Sequence, residues 1–300
     1  MSTLAPLGEV LASGTTLVLD GGLSNQLADQ GCDLSDALWS ARLLADAPGQ
    51  IEAAHAAYVR AGAQVLITAS YQATYEGFAH RGADRAEAAR LLRSSVELAR
   101  RAAAGGTDVR VAASVGPYGA MLADGSEYRG RYGRSVRELA AFHRPRIETL
   151  AEAAPDALAL ETVPDADEAE AMLRVAEDTG VPVWLSYTVD GERTRAGQPL
   201  AEAFAVAAGR PEVVAVGVNC CAPADVDAAV ELAAAATGKP VVAYPNSGER
   251  WDPDARAWTG GTALDPARAV SWRAAGARLI GGCCRVGPPV IAALAQALHA

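Results

Sequence analysis

Five cysteines stand among the 300 residues of this sequence, and four of them form two adjacent pairs, Cys220-Cys221 and Cys283-Cys284, with Cys32 alone near the start. So few, and an odd number, do not make the disulfide framework of a secreted domain. Vicinal pairs in a reducing compartment point instead to a metal or to catalysis. A catalytic zinc typically takes three protein ligands and keeps a fourth position for water or substrate. Cys220, Cys283 and Cys284 would supply three thiolates to such a site, a soft set that prefers zinc to oxygen-loving cations. Three thiolates around Zn2+ leave one net negative charge, and a bound substrate thiolate makes it two. A thiolate held in that way stays deprotonated at neutral pH yet remains electron-rich. It suits attack on a methyl group carried by a cationic donor. It suits hydrolysis poorly, because accumulated thiolate charge weakens the metal as a Lewis acid. Spacing alone leaves blander readings open. Buried cysteine is often only a small hydrophobe, and a closed structural zinc could recruit Cys221 or Cys32 as a fourth ligand. A vicinal disulfide between Cys283 and Cys284 would be strained, and a reducing compartment disfavours it.

The elements that must bring these residues together follow a repeat of pattern rather than of identity. Eight short apolar, β-branched runs, 15–20, 65–70, 109–116, 157–163, 182–189, 213–220, 240–246 and 278–284, alternate with longer amphipathic stretches. The helical candidates are 51–61, 85–104, 135–153, 167–179, 200–208, 224–236, 266–275 and 288–298. Alternation of this kind predicts βαβ units and a parallel sheet. An open doubly wound sheet should carry G-x-G-x-x-G after its first strand; Gly21-Gly22 after Asp20 does not match. The expected fold is therefore α/β, a single (β/α)8 TIM barrel, with residues 1–300 as one domain. Polar residues fall at the C-terminal ends of the runs, including Asp20, Thr68, Ser70, Ser114, Glu161, Ser186, Cys220, Asn246, Cys283 and Cys284. In a barrel those ends share one face, where active sites are built. A regular strand would turn Cys283 and Cys284 to opposite faces. Both can serve one metal only if the strand breaks, and Gly281-Gly282 offers that freedom.

These residues sit in longer motifs that resemble the homocysteine S-methyltransferase family. GVNC ending at Cys220 and GGCC ending at Cys284 look like its zinc-binding segments. LDGGLSNQL from Leu19, DALWS from Asp36, RAGAQVLITASYQAT from Arg60, ET at Glu161, YPNSGE from Tyr244 and AGARLIGGCCR from Ala275 are similar to it as well. The segment SVGPYGAMLADGSEYRG from Ser114 resembles the stand-alone branch that uses S-methylmethionine, and often S-adenosylmethionine, as methyl donor. One departure is Asp-Gly-Gly after the first strand, where relatives often carry Asp-Gly-Ala. The resemblance implies a Zn2+ cofactor held by Cys220, Cys283 and Cys284, because the family ligand directly follows the asparagine, here Asn219. Cys221 and Cys32 are then packing residues. It also implies Asp20 and Glu161 for the homocysteine ammonium, as charge-assisted acceptors. Backbone amides at Gly21 and Gly22 would take the carboxylate. Thr68, Ser70, Tyr71 and Asn246 are lesser candidates, and Asn246 equally suits a turn in Pro245-Asn246-Ser247-Gly248. A sulfonium donor needs a pocket free of fixed positive charge, for which Trp39, Tyr118 and Tyr128, with Tyr71, are candidates. His55, His80, His143 and His299 form no cluster in the sequence, and packing or surface roles are expected for them.

Bulk composition bounds the rest. Half of the residues are hydrophobic and 21% are charged, with a formal net charge of −10. That excess of acid argues against nucleic acid or an anionic membrane as partner. No apolar run approaches the roughly 18 residues of a membrane span, and the first residues, with Glu9 and no basic region, do not form a signal peptide. The expectation is a cytoplasmic enzyme with small-molecule substrates, a monomer or small homo-oligomer. Rival readings are a betaine-dependent homocysteine methyltransferase and a barrel whose zinc is purely structural.

Overall fold

The computed structural model describes residues 4–35, 38–252 and 257–299, without the side chains of residues 39, 250–252 and 257–258. Eight parallel strands form the centre: β1 (Leu17–Val18), β2 (Val65–Ile67), β3 (Arg110–Val115), β4 (Ala157–Val163), β5 (Val183–Tyr187), β6 (Val213–Asn219), β7 (Val241–Tyr244) and β8 (Ala277–Ile280). Their order in the sheet is β1-β8-β7-β6-β5-β4-β3-β2. A parallel bridge between Leu19 and Val65 brings the two ends together. Asp20 N–H donates to the Val65 carbonyl at 3.0 Å and Gln64 N–H to the Val18 carbonyl at 2.7 Å, so β1 meets β2 and the barrel closes. The expected barrel is present.

Its strands read as continuous apolar runs because both of their faces are covered. Every residue of β3 and β4 is buried. One set of side chains fills the interior. Leu17, Leu19, Val65, Val242 and Leu279 pack with Trp184 and Tyr244, and alanines at 112, 157, 159 and 215 leave room for the two large rings. The other set faces the helices in the larger outer core.

The long helices fall where the amphipathic pattern puts them, for reasons visible at their ends. Asp84 caps Arg85–Ala103 by accepting the Glu87 N–H. Ser135 and Glu138 form a reciprocal capping box for Val136–Glu152. The expected runs are trimmed at their tops: β7 stops at Tyr244 before Pro245, and β8 stops at Ile280 before Gly281-Gly282.

Some elements were not foreseen. Short helices Leu23–Asp29, Tyr75–His80 and Tyr118–Leu122 follow β1, β2 and β3, each too brief to show a full period in the sequence. Leu7–Ala12 forms another, and its Leu7 and Leu11 join the interior cluster. Arg110, at the start of β3, donates to the Ala5 carbonyl at 3.1 Å. The N-terminal segment therefore plugs the bottom of the barrel, opposite the strand ends that carry the polar residues. Among the described residues no helix is long and apolar enough to cross a membrane.

Gly217 tests how tightly the ring is closed. A Cβ there would stand 1.8 Å from the Val242 carbonyl oxygen of the adjacent strand. Gly217→Ala is expected to lower stability by at least about 1–3 kcal/mol through forced separation of β6 from β7. An unchanged urea midpoint would show that the strands yield freely there.

Candidate active site

Cys220 follows β6 directly and adopts a left-handed backbone with φ 51°. This turn takes the residue out of strand geometry at the barrel mouth, and Thr188 Oγ1 steadies it by donating to its carbonyl at 3.1 Å. Cys283 and Cys284 lie beyond β8, where Cys283 N–H donates to the Pro245 carbonyl at 2.7 Å and Cys284 N–H to Asn246 Oδ1 at 3.1 Å. Because the strand has ended, adjacent cysteines can point the same way. The three sulfurs all lie within 4.8 Å of one another, and those of Cys220 and Cys284 are 3.7 Å apart.

The glycines beside them act differently from the expectation. Gly281 and Gly282 do not take positive φ. They are small because a Cβ on Gly282 would reach 2.1 Å from Val286, and one on Gly281 would reach 2.6 Å from Leu19. Close approach, not backbone freedom, requires them.

Hydrogen bonding among the three cysteines affects their thiols unequally. Hydrogen bonds from Cys220 and Cys283 hold Cys284 well below the ordinary thiol range. Cys283 is pushed up by its bonds with Cys220 and Cys284 and by burial.

Two acids share the same pocket. Burial raises Asp20 well above the usual carboxylate range, against an opposing hydrogen bond from Ile67 N–H at 2.9 Å. Burial pushes Glu161 up to about 7, although hydroxyls of Ser114 and Tyr244 bond to its carboxylate. Asp20 Oδ1 is buried and has no partner within the protein. Two desolvated acids in one cleft mark a place for a cation.

Glu161 owes its aim to a fault in β4. Leu160 pairs with Leu185 and Val163 with Tyr187, so two residues of β4 oppose one of β5. That is a β-bulge, which bends the strand and redirects its side chains. Thr162 within it has φ 56°, a costly conformation for a β-branched residue. Asn219 holds it there: its Oδ1 accepts the Thr162 N–H at 2.6 Å, and its Nδ2 donates to Thr162 Oγ1 at 2.8 Å. The same Oδ1 accepts the Ser186 hydroxyl at 2.8 Å. Asn219 therefore positions the acid on one strand and precedes a cysteine on another.

The pocket is a cleft of about 120 Å³ that opens to solvent, smaller than the roughly 300–1,000 Å³ of sites for drug-sized ligands. Residues 17–298 match the homocysteine S-methyltransferase family. The chain belongs to that family. It is 47% identical to a homocysteine S-methyltransferase of Escherichia coli over 98% of this chain and 99% of that one. With homocysteine S-methyltransferase 4 of Zea mays it shares 46% identity over 97% of this chain and 92% of that one. It superposes on the crystal structure of the metallated form of the homocysteine methyltransferase MmuM from Escherichia coli with a TM-score of 0.87 at 44% identity, covering 97% and 99% of the two chains.

In this methyltransferase Asp20, Gly21, Gly22, Thr68, Tyr71, Tyr128, Glu161, Cys220, Cys283 and Cys284 all line the one pocket. Gly22 N–H, however, donates to the Val286 carbonyl at 2.9 Å, so it is not free for a carboxylate. Leu23, Ser24 and Asn25, which the sequence reading passed over, line the pocket just after it. Ser70, Asn246 and Tyr118 are absent from the lining. The Ser70 hydroxyl donates to the Ser114 carbonyl at 2.7 Å. Asn246 supports Cys284 through its backbone amide. Tyr118 packs on Tyr132 and Phe142 with the Arg134 guanidinium over its ring, surroundings unsuited to a sulfonium. The Trp39 side chain lies outside the described residues. Cys221 sits in the outer core, and half-buried Cys32 packs against that core.

Tyr128 is the donor candidate that faces the sulfurs. Its hydroxyl stands 3.2 Å from Cys220 Sγ, while the residue keeps 38% of its surface exposed. Below its loop lies a buried group that no local sequence signal revealed. Glu168 accepts the Tyr118 N–H at 2.5 Å and His143 Nε2 at 2.9 Å, and Arg146 bonds both His143 Nδ1 and the Gly116 carbonyl. These contacts grip the chain on both sides of Pro117, at the root of the loop.

The Asn219 clamp gives a direct test. Asn219→Ala is expected to destabilise the fold by about 1–3 kcal/mol, because a buried Thr162 N–H loses its acceptor. Adding Thr162→Gly should recover part of this, since glycine takes positive φ without strain. A parent-like urea midpoint for Asn219→Ala would refute the clamp.

Proposed function

We propose that this family member transfers a methyl group from S-methylmethionine, and less efficiently from S-adenosylmethionine, to the thiol of L-homocysteine, with zinc held by Cys220, Cys283 and Cys284. The whole chain would serve as one homocysteine-binding barrel. The observation that carries the reading is the convergence of three sulfurs and two raised acids on one open pocket.

The residues fit the metal. A tetrahedron with zinc–sulfur bonds of about 2.3 Å has edges of roughly 3.8 Å, and Cys220 and Cys284 already stand 3.7 Å apart. Zinc bound there would keep a substrate thiol deprotonated and electron-rich at neutral pH. Asp20 would take the homocysteine ammonium on Oδ1, with Glu161 close enough to add its charge. Backbone of Leu23, Ser24 and Asn25, which line the pocket just after Gly22, would face the carboxylate. The homocysteine sulfur attacks the methyl carbon, the bond to the donor sulfur breaks, and its electron pair stays on that sulfur. Thiolate and sulfonium charges vanish together, so an aromatic wall such as Tyr128 favours the transition state over a watery one.

Metal analysis tests the ligands. The purified protein should carry about one zinc per chain, as a single three-ligand site requires. Cys220→Ser, Cys283→Ser and Cys284→Ser should each lose most metal and nearly all activity, whereas Cys221→Ser keeps both. Full zinc retention in Cys220→Ser would sink the assignment.

Acceptor recognition is tested by Asp20→Asn and Glu161→Gln. Each should weaken homocysteine binding by about 1.5–3 kcal/mol with metal retained, as expected for a lost charge-assisted bond. Unchanged KM in both would make these acids structural.

Donor choice is read from kcat/KM at fixed homocysteine. S-methylmethionine should lead, S-adenosylmethionine follow and betaine trail. A clear preference for betaine would overturn the donor while leaving the metal assignment in place.

A further inference from the structure

Helix Pro48–Arg60 turns Ile51, Ala54, His55 and Tyr58 inward. His55 is fully buried, and neither of its ring nitrogens has a hydrogen-bond partner. Buried polar atoms are ordinarily paired, and a hydrocarbon of like size would fill this space without the desolvation cost. A carboxyl group lies just beyond bonding reach, with Asp20 Oδ2 at 4.0 Å from His55 Nδ1. Burial raises Asp20 and brings His55 down to about 4, disfavouring the charged form of each, and the pair stands just outside bonding distance.

An ammonium arriving at Asp20 Oδ1 changes this balance. A carboxylate facing an ammonium needs hydrogen-bond donors of its own. Ile67 N–H already serves Oδ2. Tyr58 cannot help, because its hydroxyl donates to the carbonyls of Gly22 and Val286 at 3.0 and 3.1 Å. Glu161 is itself an acid engaged by Ser114 and Tyr244. His55 has an N–H to give.

We propose that His55 is a positioning residue for the homocysteine ammonium: neutral and protonated on Nδ1, it closes on Asp20 Oδ2 and leaves Oδ1 to the ligand. A cationic imidazole would repel the same ammonium, so a buried neutral ring suits the task. The inference rests on the assignment of Asp20 to the ammonium.

The experiment compares His55→Asn, His55→Gln and His55→Leu in the full, metal-loaded chain. Asparagine places an amide nitrogen near Nδ1, while glutamine places it near Nε2. His55→Leu and His55→Gln should raise KM for homocysteine roughly tenfold or more, the loss expected for a hydrogen bond to a charged group. The KM of the donor, kcat and bound metal should not move. His55→Asn should stay within about threefold of the parent if a donor at Nδ1 is what matters. Inhibition by 4-mercaptobutanoate, homocysteine without its amino group, should be equal in all variants. Equal KM for His55→Leu and His55→Asn would overturn the proposal, as would weakened 4-mercaptobutanoate inhibition alongside a raised KM. If His55→Leu does not fold, the asparagine–glutamine pair decides, being polar on both sides. Asp20→Asn separates the two failures. A raised KM there with unaffected His55 variants defeats this inference alone, and an unaffected KM there defeats the ammonium assignment itself.

Discussion

Like charges cannot be gathered in a buried pocket without something to hold them. A pair of unit charges about 4 Å apart repels by roughly 4 kcal/mol at an effective dielectric of 20, and three cysteine sulfurs here lie within 4.8 Å of one another. The divalent cation proposed for this site would remove that repulsion, and three protein ligands would leave room for a fourth sulfur. Much of the local architecture serves this gathering. Cys220 leaves its strand through a left-handed residue, β8 ends three residues before Cys283, and Asn246 and Pro245 fix the amides of the other two. Gly282 lets Val286 pack where any side chain would collide.

The acid side of the pocket solves the opposite problem. Asp20 and Glu161 are buried, which raises both carboxyls, and in the proposed reading a cationic group would be their partner. Glu161 is fixed by a chain of hydroxyls that runs through Tyr244 to Ser186 and on to Asn219. One asparagine thus links the strand that supplies a cysteine to the strand that supplies an acid. Shifts in either are felt by the other, because the interior is close-packed and does not deform smoothly.

The donor side is built more loosely. Tyr128, proposed as a wall for the methyl donor, rides on a loop whose rim is partly exposed. Its root is not loose. Arg146, His143 and Glu168 are all buried; burial brings Arg146 down to about 10 and Glu168 up to about 8. A network of this kind gains little net stability from its charges, but it sets where the loop starts.

The sequence by itself determined the barrel, its eight strands and the side of it that does chemistry. Alternating apolar runs and amphipathic stretches report burial element by element, and polar residues at strand ends report the open face. Cysteine chemistry narrowed the reaction, and the long motifs named the family. Other features were decided only in three dimensions. Asn219 and Thr162 are 57 residues apart, so their clamp and the bulge it holds leave no local pattern. His55 looked like one more inward helix residue until Asp20 was found beside it. Ser70, Asn246 and Tyr118 sit near the mouth in sequence, yet their hydrogen bonds and packing take them elsewhere. The physical reason is the same in each case. Periodicity encodes which face of an element is buried, whereas the partner of a buried polar atom is chosen by whatever the closed barrel brings within reach.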